Sequence, residues 1–246
     1  MPLEDRFIYK PLRVGHVVGL GNDVELSTPD GEKLHGRYVM RPYAYFTLLY
    51  LHGSTGNLAS RAKLLHFLSA TGANVFAIDY RGYGRSTGAP SEAGLNVDAL
   101  TAYQWLIDQG TPRSCVVPFG EGLGAAPACE LATTQTVGGL VLLSAFTSLP
   151  ALAAARYPHL PTRWVVRSQF DVLDKLSRIS AHKLIAHSRQ DEQVPFRMAE
   201  QLFAAASDPK QALWLDGAGH AEVYATSGKP LSEGLTQFIA GLPTTA

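Results

Sequence analysis

The chain has 246 residues, 46% of them hydrophobic, which suits one α/β domain with a sizeable core. Its 21 basic and 21 acidic side chains leave no formal net charge. That balance excludes the basic field on which nucleic-acid binding depends.

In chain order, a hairpin comes first: Asp23–Leu26 and Lys33–Met40 flank the turn residues Pro29, Asp30 and Gly31. Strands then read at Thr47–Leu51, Asn74–Asp79, Cys115–Phe119, Gly139–Ser144, Lys183–His187 and Ala212–Leu215. Between them, amphipathic helices read at Ala59–Ala70, Ser91–Gln109, Leu123–Thr133, Pro195–Ala206 and Leu231–Ala240. This alternation predicts an α/β fold: a mostly parallel central sheet with helices on both faces, in a single domain over residues 1–246. Residues 145–181 break the pattern, with Pro150, Pro158 and Pro161 among Phe146, Tyr157, Trp164 and Phe170. They read as a short lid over a pocket or as a plain crossover.

Cys115 and Cys129 lie in apolar segments and read as core thiols. The eight histidines form no metal motif, and no metal or cofactor is expected. No long apolar stretch follows Met1–Arg6, so no signal peptide is read. The run from Val137 to Phe146 is too short to span a bilayer. The expectation is a soluble cytoplasmic protein, with a tether outside this chain left open.

The segment Gly120-Glu121-Gly122-Leu123-Gly124 stands between a strand and a helix. That context is where G-x-S-x-G forms a nucleophile elbow, with the nucleophile on a sharp turn. The central position here is Gly122. Pro118 falls inside the strand, where its missing N–H removes a ladder bond, and Pro127 falls early in the helix. Further along, Asp191 follows the strand Lys183–His187, and His220 follows Ala212–Leu215 in the loop Gly217-Ala218-Gly219-His220. Both fall at the carboxyl edge of the sheet, where α/β folds place ligands. Singly, Asp191 reads equally as a turn residue capping the next helix, and His220 as a solvated loop residue. Together, in the order elbow, acid, histidine, they read as a triad that lacks its nucleophile.

With His52-Gly53-Ser54-Thr55-Gly56-Asn57, Asp79–Ser86, Ser144–Ser148 and Asp191–Pro195, these motifs run in order from about Asp23 to Ala240. The chain resembles an α/β-hydrolase, and is most similar to the short-lidded serine hydrolases of the bud-emergence protein and depalmitoylase branch. The resemblance implies hydrolysis of a carboxylic ester or thioester by Ser, Asp191 and His220, with serine expected at Gly122. It implies an oxyanion hole from the backbone N–H groups of Leu123 and Ser54. The implied partner is a small acyl-ester-like ligand. His52 reads as a loop brace, and Asp79, Arg81 and Arg85 as structural.

Loss of a triad nucleophile lowers turnover on the order of 10⁶-fold, so the chain is expected to be inactive or nearly so. Glu121 is expected to point away from the vacant seat. Ser54 could at best hold a water there, Ser144 has no paired base, and Cys115 lies at the far end of the strand. The alternatives are a pseudohydrolase that binds an acyl-like ligand or partner without turnover, and a His220–Asp191 dyad acting as a general base on water. A dinucleotide site also fits Gly120, Gly122 and Ala125 formally. It is opposed by the charge of Glu121 and by the absence of an acidic residue near Ser144.

Overall fold

The computed structural model describes residues 4–13, 15, 21–159, 166–220 and 223–244. Eight strands form one sheet: β2 (Asn22–Ser27), β3 (Lys33–Val39), β4 (Thr47–Leu51), β6 (Asn74–Ile78), β7 (Val116–Glu121), β8 (Leu140–Leu143), β9 (Lys183–Ser188) and β10 (Lys210–Leu215). Their order is β10-β9-β8-β7-β4-β6-β3-β2. The hairpin β2–β3 is antiparallel, as is β3 against β6, and every other pairing is parallel.

Burial on both faces explains why the inner strands read as continuous apolar runs rather than alternating ones. Along β4, Leu49 and Leu51 face one helical layer, while Leu48 and Tyr50 face the other. The first layer holds α3 (Glu92–Asp108) and α4 (Ala125–Thr134), with α7 (Phe196–Ala205) beside them. The second holds α2 (Ala62–Ser69) and α9 (Gly228–Ala240). Capping sets two of these starts. Ser91 accepts the Gly94 N–H at the head of α3, and Asn57 forms a reciprocal capping box with Ser60 ahead of α2.

Several boundaries differ from the sequence reading, each for a local reason. β7 runs on to Glu121, so the strand delivers the elbow itself. The ladder to β8 skips Pro118: Gly138 N–H reaches Val116 O, and pairing resumes at Phe119 with Val141. The bond that Pro118 cannot donate is the one this ladder lacks. α4 starts at Ala125 after a 3₁₀ turn, which leaves Pro127 in the first turn, where a backbone N–H would have no helical partner in any case. β10 begins at Lys210 rather than Ala212, because an edge strand can carry exposed polar residues such as Gln211.

Two N-terminal elements carried no periodic signal: a four-residue helix α1 (Asp5–Ile8), and a two-residue strand β1 (Lys10–Pro11) pairing with β5 (Thr55–Gly56). Within the segment 145–181, Ser148 caps α5 (Leu149–Arg156), and α6 (Leu173–Leu176) follows. The Glu4 and Glu92 carboxylates accept the N–H groups of Arg167, Gln169 and Phe170. Pro161 and Trp164 lie outside the described residues. Among the described residues, no helix is long and apolar enough to cross a membrane.

Candidate active site

β7 ends at Glu121, and the 3₁₀ turn Gly122–Gly124 feeds directly into α4. The three glycines of the elbow, Gly120, Gly122 and Gly124, are not alike. A Cβ on Gly120 would stand 2.5 Å from the Ala125 Cα, and one on Gly124 would stand 2.0 Å from the Leu51 carbonyl oxygen. Both are excluded by the close approach of helix to strand. A Cβ on Gly122 would meet only the Gly53 Cα, at 3.9 Å. Its φ of +52° lies in the left-handed region, which strains other residues by about 1–3 kcal/mol. The elbow therefore has a sharply bent, left-handed backbone and free space where a side chain would project.

Asp191 and His220 meet. His220 Nδ1 lies 2.7 Å from Asp191 Oδ2, and the Asp191 side chain is fully buried. The other oxygen, Oδ1, accepts the N–H groups of Gln193 (2.9 Å) and Val194 (2.8 Å). Asp191 thus shapes its own turn and holds the histidine, but it does not cap the next helix, which starts after Pro195 with no side-chain cap. Burial works to raise the Asp191 pKa, but the His220 hydrogen bond and charge, with the two amides, hold it below the usual carboxylate value. Burial opposes the charged form of His220, yet the Asp191 hydrogen bond, with the charges of Asp191, Glu121 and Glu192, raises its pKa above the usual histidine value. The Glu192 carboxylate also accepts the His220 backbone N–H at 3.0 Å. A neutral His220 that donates Nδ1–H to Asp191 keeps its lone pair on Nε2.

Two backbone amides are aimed by their neighbours. His52 is fully buried against Tyr80 and Tyr83, and its Nδ1 contacts Gly53 O at 2.7 Å. A trans peptide sets N–H opposite C=O, so this bond turns the Ser54 N–H away from His52. Ala125 N–H occupies Gly122 O in the same way and orients the Leu123 N–H. The Ser54 carbonyl is held by Lys10 N–H and by the Tyr83 hydroxyl, both at 2.9 Å. Burial lowers the His52 pKa, so it is neutral and acts as a brace.

Gly53, Ser54, Gly122, Leu123 and His220 all line one open pocket of about 530 Å³. Its apolar wall includes Phe7, Leu64, Phe67, Leu149 and Leu152.

Glu121 departs from its expected place: it lines this pocket. Its Oε2 accepts the Tyr50 hydroxyl and, at 3.1 Å, the Tyr224 hydroxyl. Its Oε1 faces Arg61 Nη2 at 3.8 Å. Strand alternation alone does not decide the direction of this last strand residue; the two tyrosines and the arginine do. Tyr50, Arg61 and Tyr224 were all missed from sequence. The one available signal was Tyr50, a hydroxyl in an otherwise apolar buried strand that must find a partner.

The remaining candidates are structural. The Arg81 guanidinium bridges Asp30 and Asp98, and Arg85 pairs with Asp23. Asp79 accepts the Leu58 N–H at 2.8 Å and so ties the loop after β6 to the start of α2. Ser144 closes β8 with a buried hydroxyl that is not on the pocket wall, and Cys115 and Cys129 are buried free thiols.

The chain is similar to known proteins of one fold. The family model described as alpha/beta hydrolase fold matches residues 47–202. An uncharacterized protein of Mycobacterium tuberculosis is 34% identical over 226 residues, covering 91% of this chain and 80% of that protein. The human alpha/beta hydrolase domain-containing protein 17B is 32% identical over 205 residues, covering 82% and 70%. Among solved structures, an esterase from Pyrococcus furiosus superposes with a TM-score of 0.77 at 21% identity, covering 96% of this chain and 97% of that one.

Proposed function

The chain belongs to the α/β-hydrolase family, and on that premise we propose that its pocket is a serine-hydrolase site for a carboxylic ester or thioester. In this reading the nucleophile's seat is left vacant by Gly122. Asp191 orients His220, His220 Nε2 is the base, and the Ser54 and Leu123 amides face the developing oxyanion. The segment around α5 serves as a short lid, since Leu149 and Leu152 stand on the pocket wall. The observation that carries the reading is the space at Gly122: the elbow's outer glycines are dictated by packing, while the central one is not. The chain as it stands forms no acyl-enzyme and is inactive or nearly so.

The test is a panel of p-nitrophenyl esters and acyl thioesters, with a fluorophosphonate probe as second readout, on the protein and on Gly122→Ser. The expected outcome is probe labelling and ester turnover in Gly122→Ser alone, both lost again when His220→Ala is added. A folded Gly122→Ser protein that neither labels nor turns over any ester would overturn the reading and leave a binding protein without hydrolytic chemistry.

A further inference from the structure

The hydrolytic reading makes no use of the charge on the pocket wall. Arg61, Lys63 and Arg156 line the pocket, and against them stands Glu121 as the one carboxylate among the lining residues described. Lys63 and Arg156 are exposed and have no ion pair among the described residues. Arg61 is the inner cation, with its side chain 20% exposed. Its Nη2 donates to Thr55 O at 3.2 Å, and the Tyr50 hydroxyl lies against the guanidinium. Its Nε is buried with no hydrogen-bond partner. The nearest carboxylate is itself engaged elsewhere, because Glu121 Oε2 takes two tyrosine hydroxyls while Oε1 stands off Arg61 at 3.8 Å.

A guanidinium offers five donors in a fixed fork suited to two oxygens of one anion. With its Nε unpartnered and Glu121 standing off at 3.8 Å, the part-exposed guanidinium keeps donor capacity that an anion in the pocket can take up. Position narrows the ligand further. Arg61 Nη2 and Glu121 Oε1 each stand 3.9 Å from where a Cβ on Gly53 would be, beside the loop that carries the Ser54 amide, so the guanidinium must outweigh one carboxylate there, with Lys63 and Arg156 on its side. Much of the remaining lining is apolar, from Phe7 and Leu64 to Leu149 and Leu152. The pocket therefore sets basic groups among apolar side chains, in a protein with no net charge.

We propose that this pocket selects amphiphilic ligands in which an acyl or alkyl chain is joined to a group with anionic oxygens, and that Arg61 is the specificity residue that reads those oxygens. This rests on the ester-site reading and names its substrate class: an ester or thioester carrying negative charge near the scissile carbonyl. Lys63 and Arg156 add a rim of positive charge that draws such a ligand in.

The protein as it stands, without turnover, is titrated calorimetrically with octanoate, octyl phosphate and octanol. The expected result is that at least one anion binds about tenfold or more tightly than octanol, with a preference that weakens as salt is added. The stronger of the two anions names the group as carboxylate or phosphate. Arg61→Gln removes the preference but keeps the octanol affinity. Arg61→Gln with Glu121→Gln guards against misfolding, since it leaves no buried charge unpaired, and thermal melting checks each variant. Octanol binding as tightly as both anions, or an anion preference that survives in a folded Arg61 variant, overturns the proposal. Failure here is separable from failure of the ester-site reading, because that reading is judged by turnover in Gly122→Ser and this one by binding to the unaltered chain.

Discussion

The two sides of the pocket are built to different standards. On one side the His220–Asp191 pair is held by bonds that have nothing to do with a nucleophile: the Gln193 and Val194 amides on Asp191, and Glu192 on the His220 amide. His187, fully buried with Nε2 at 2.9 Å from Val194 O, closes the same loop from below. On the other side the elbow keeps its bend, its packing glycines and its oriented amides around a position with no side chain. The dyad is thus over-determined by its own loops and persists whatever occupies residue 122. The elbow is determined by helix–strand packing, and residue 122 bears on it only through the strain of its positive φ. Fold and chemistry are separable here at a single position.

The largest effect tests that separability directly. Restoring Gly122→Ser is expected to raise ester turnover on the order of 10⁶-fold, read with p-nitrophenyl esters. Within that background Asp191→Asn is expected to remove roughly 10⁴-fold of the gain, because the imidazole loses its fixed tautomer. If Asp191→Asn leaves the restored activity intact, the two sides of the pocket do not work together.

Next in size is a stability contrast within the elbow. Gly124→Ala places a methyl against the Leu51 carbonyl, a backbone atom that cannot swing aside. It is expected to cost about 3 kcal/mol or more, near 10 °C in melting temperature for a chain of this length. Gly122→Ala meets open space and incurs only the positive-φ strain, about 1–2 kcal/mol and roughly 4 °C. Equal losses in calorimetry would mean that the centre of the elbow is as tightly packed as its flanks.

The same contrast explains what was legible in the sequence. The sheet, its helices and the dyad announced themselves because each rests on local pattern: apolar runs, caps such as Ser91, and loops that follow strands. The β1–β5 pairing did not, since two residues carry no period, although it fastens the loop bearing Ser54. The Arg61–Glu121–Tyr50–Tyr224 group did not either. Its members come from four separate elements, and each looks ordinary alone: a helix-start arginine, a motif spacer, a core tyrosine and a tyrosine of the four-residue helix Val223–Thr226. Only the tertiary packing makes them neighbours.

The smallest predicted effect joins the two sides through charge. Glu121 contributes to the raised pKa of His220 across the pocket, after Asp191. With His220 as the proposed base, the activity of Gly122→Ser is expected to rise with pH through a midpoint above the ordinary histidine value of about 6.5. Adding Glu121→Gln is expected to move that midpoint down by a fraction of a pH unit. Stability runs the other way. A raised histidine pKa stabilises the fold fully below about pH 6.5, and this contribution is lost as pH rises through the folded-state pKa. The depressed Asp191 pKa contributes above about pH 3.9 and is lost as pH falls through its folded value. The pair therefore supports the fold most between those limits, where a restored enzyme would be slowest. Melting temperatures of the protein and of His220→Gln, followed from pH 5 to 9, are expected to converge as pH rises. A gap that stays constant across that range would show that His220 does not change its protonation between folded and unfolded chain, and that the charge of Glu121 does not reach it.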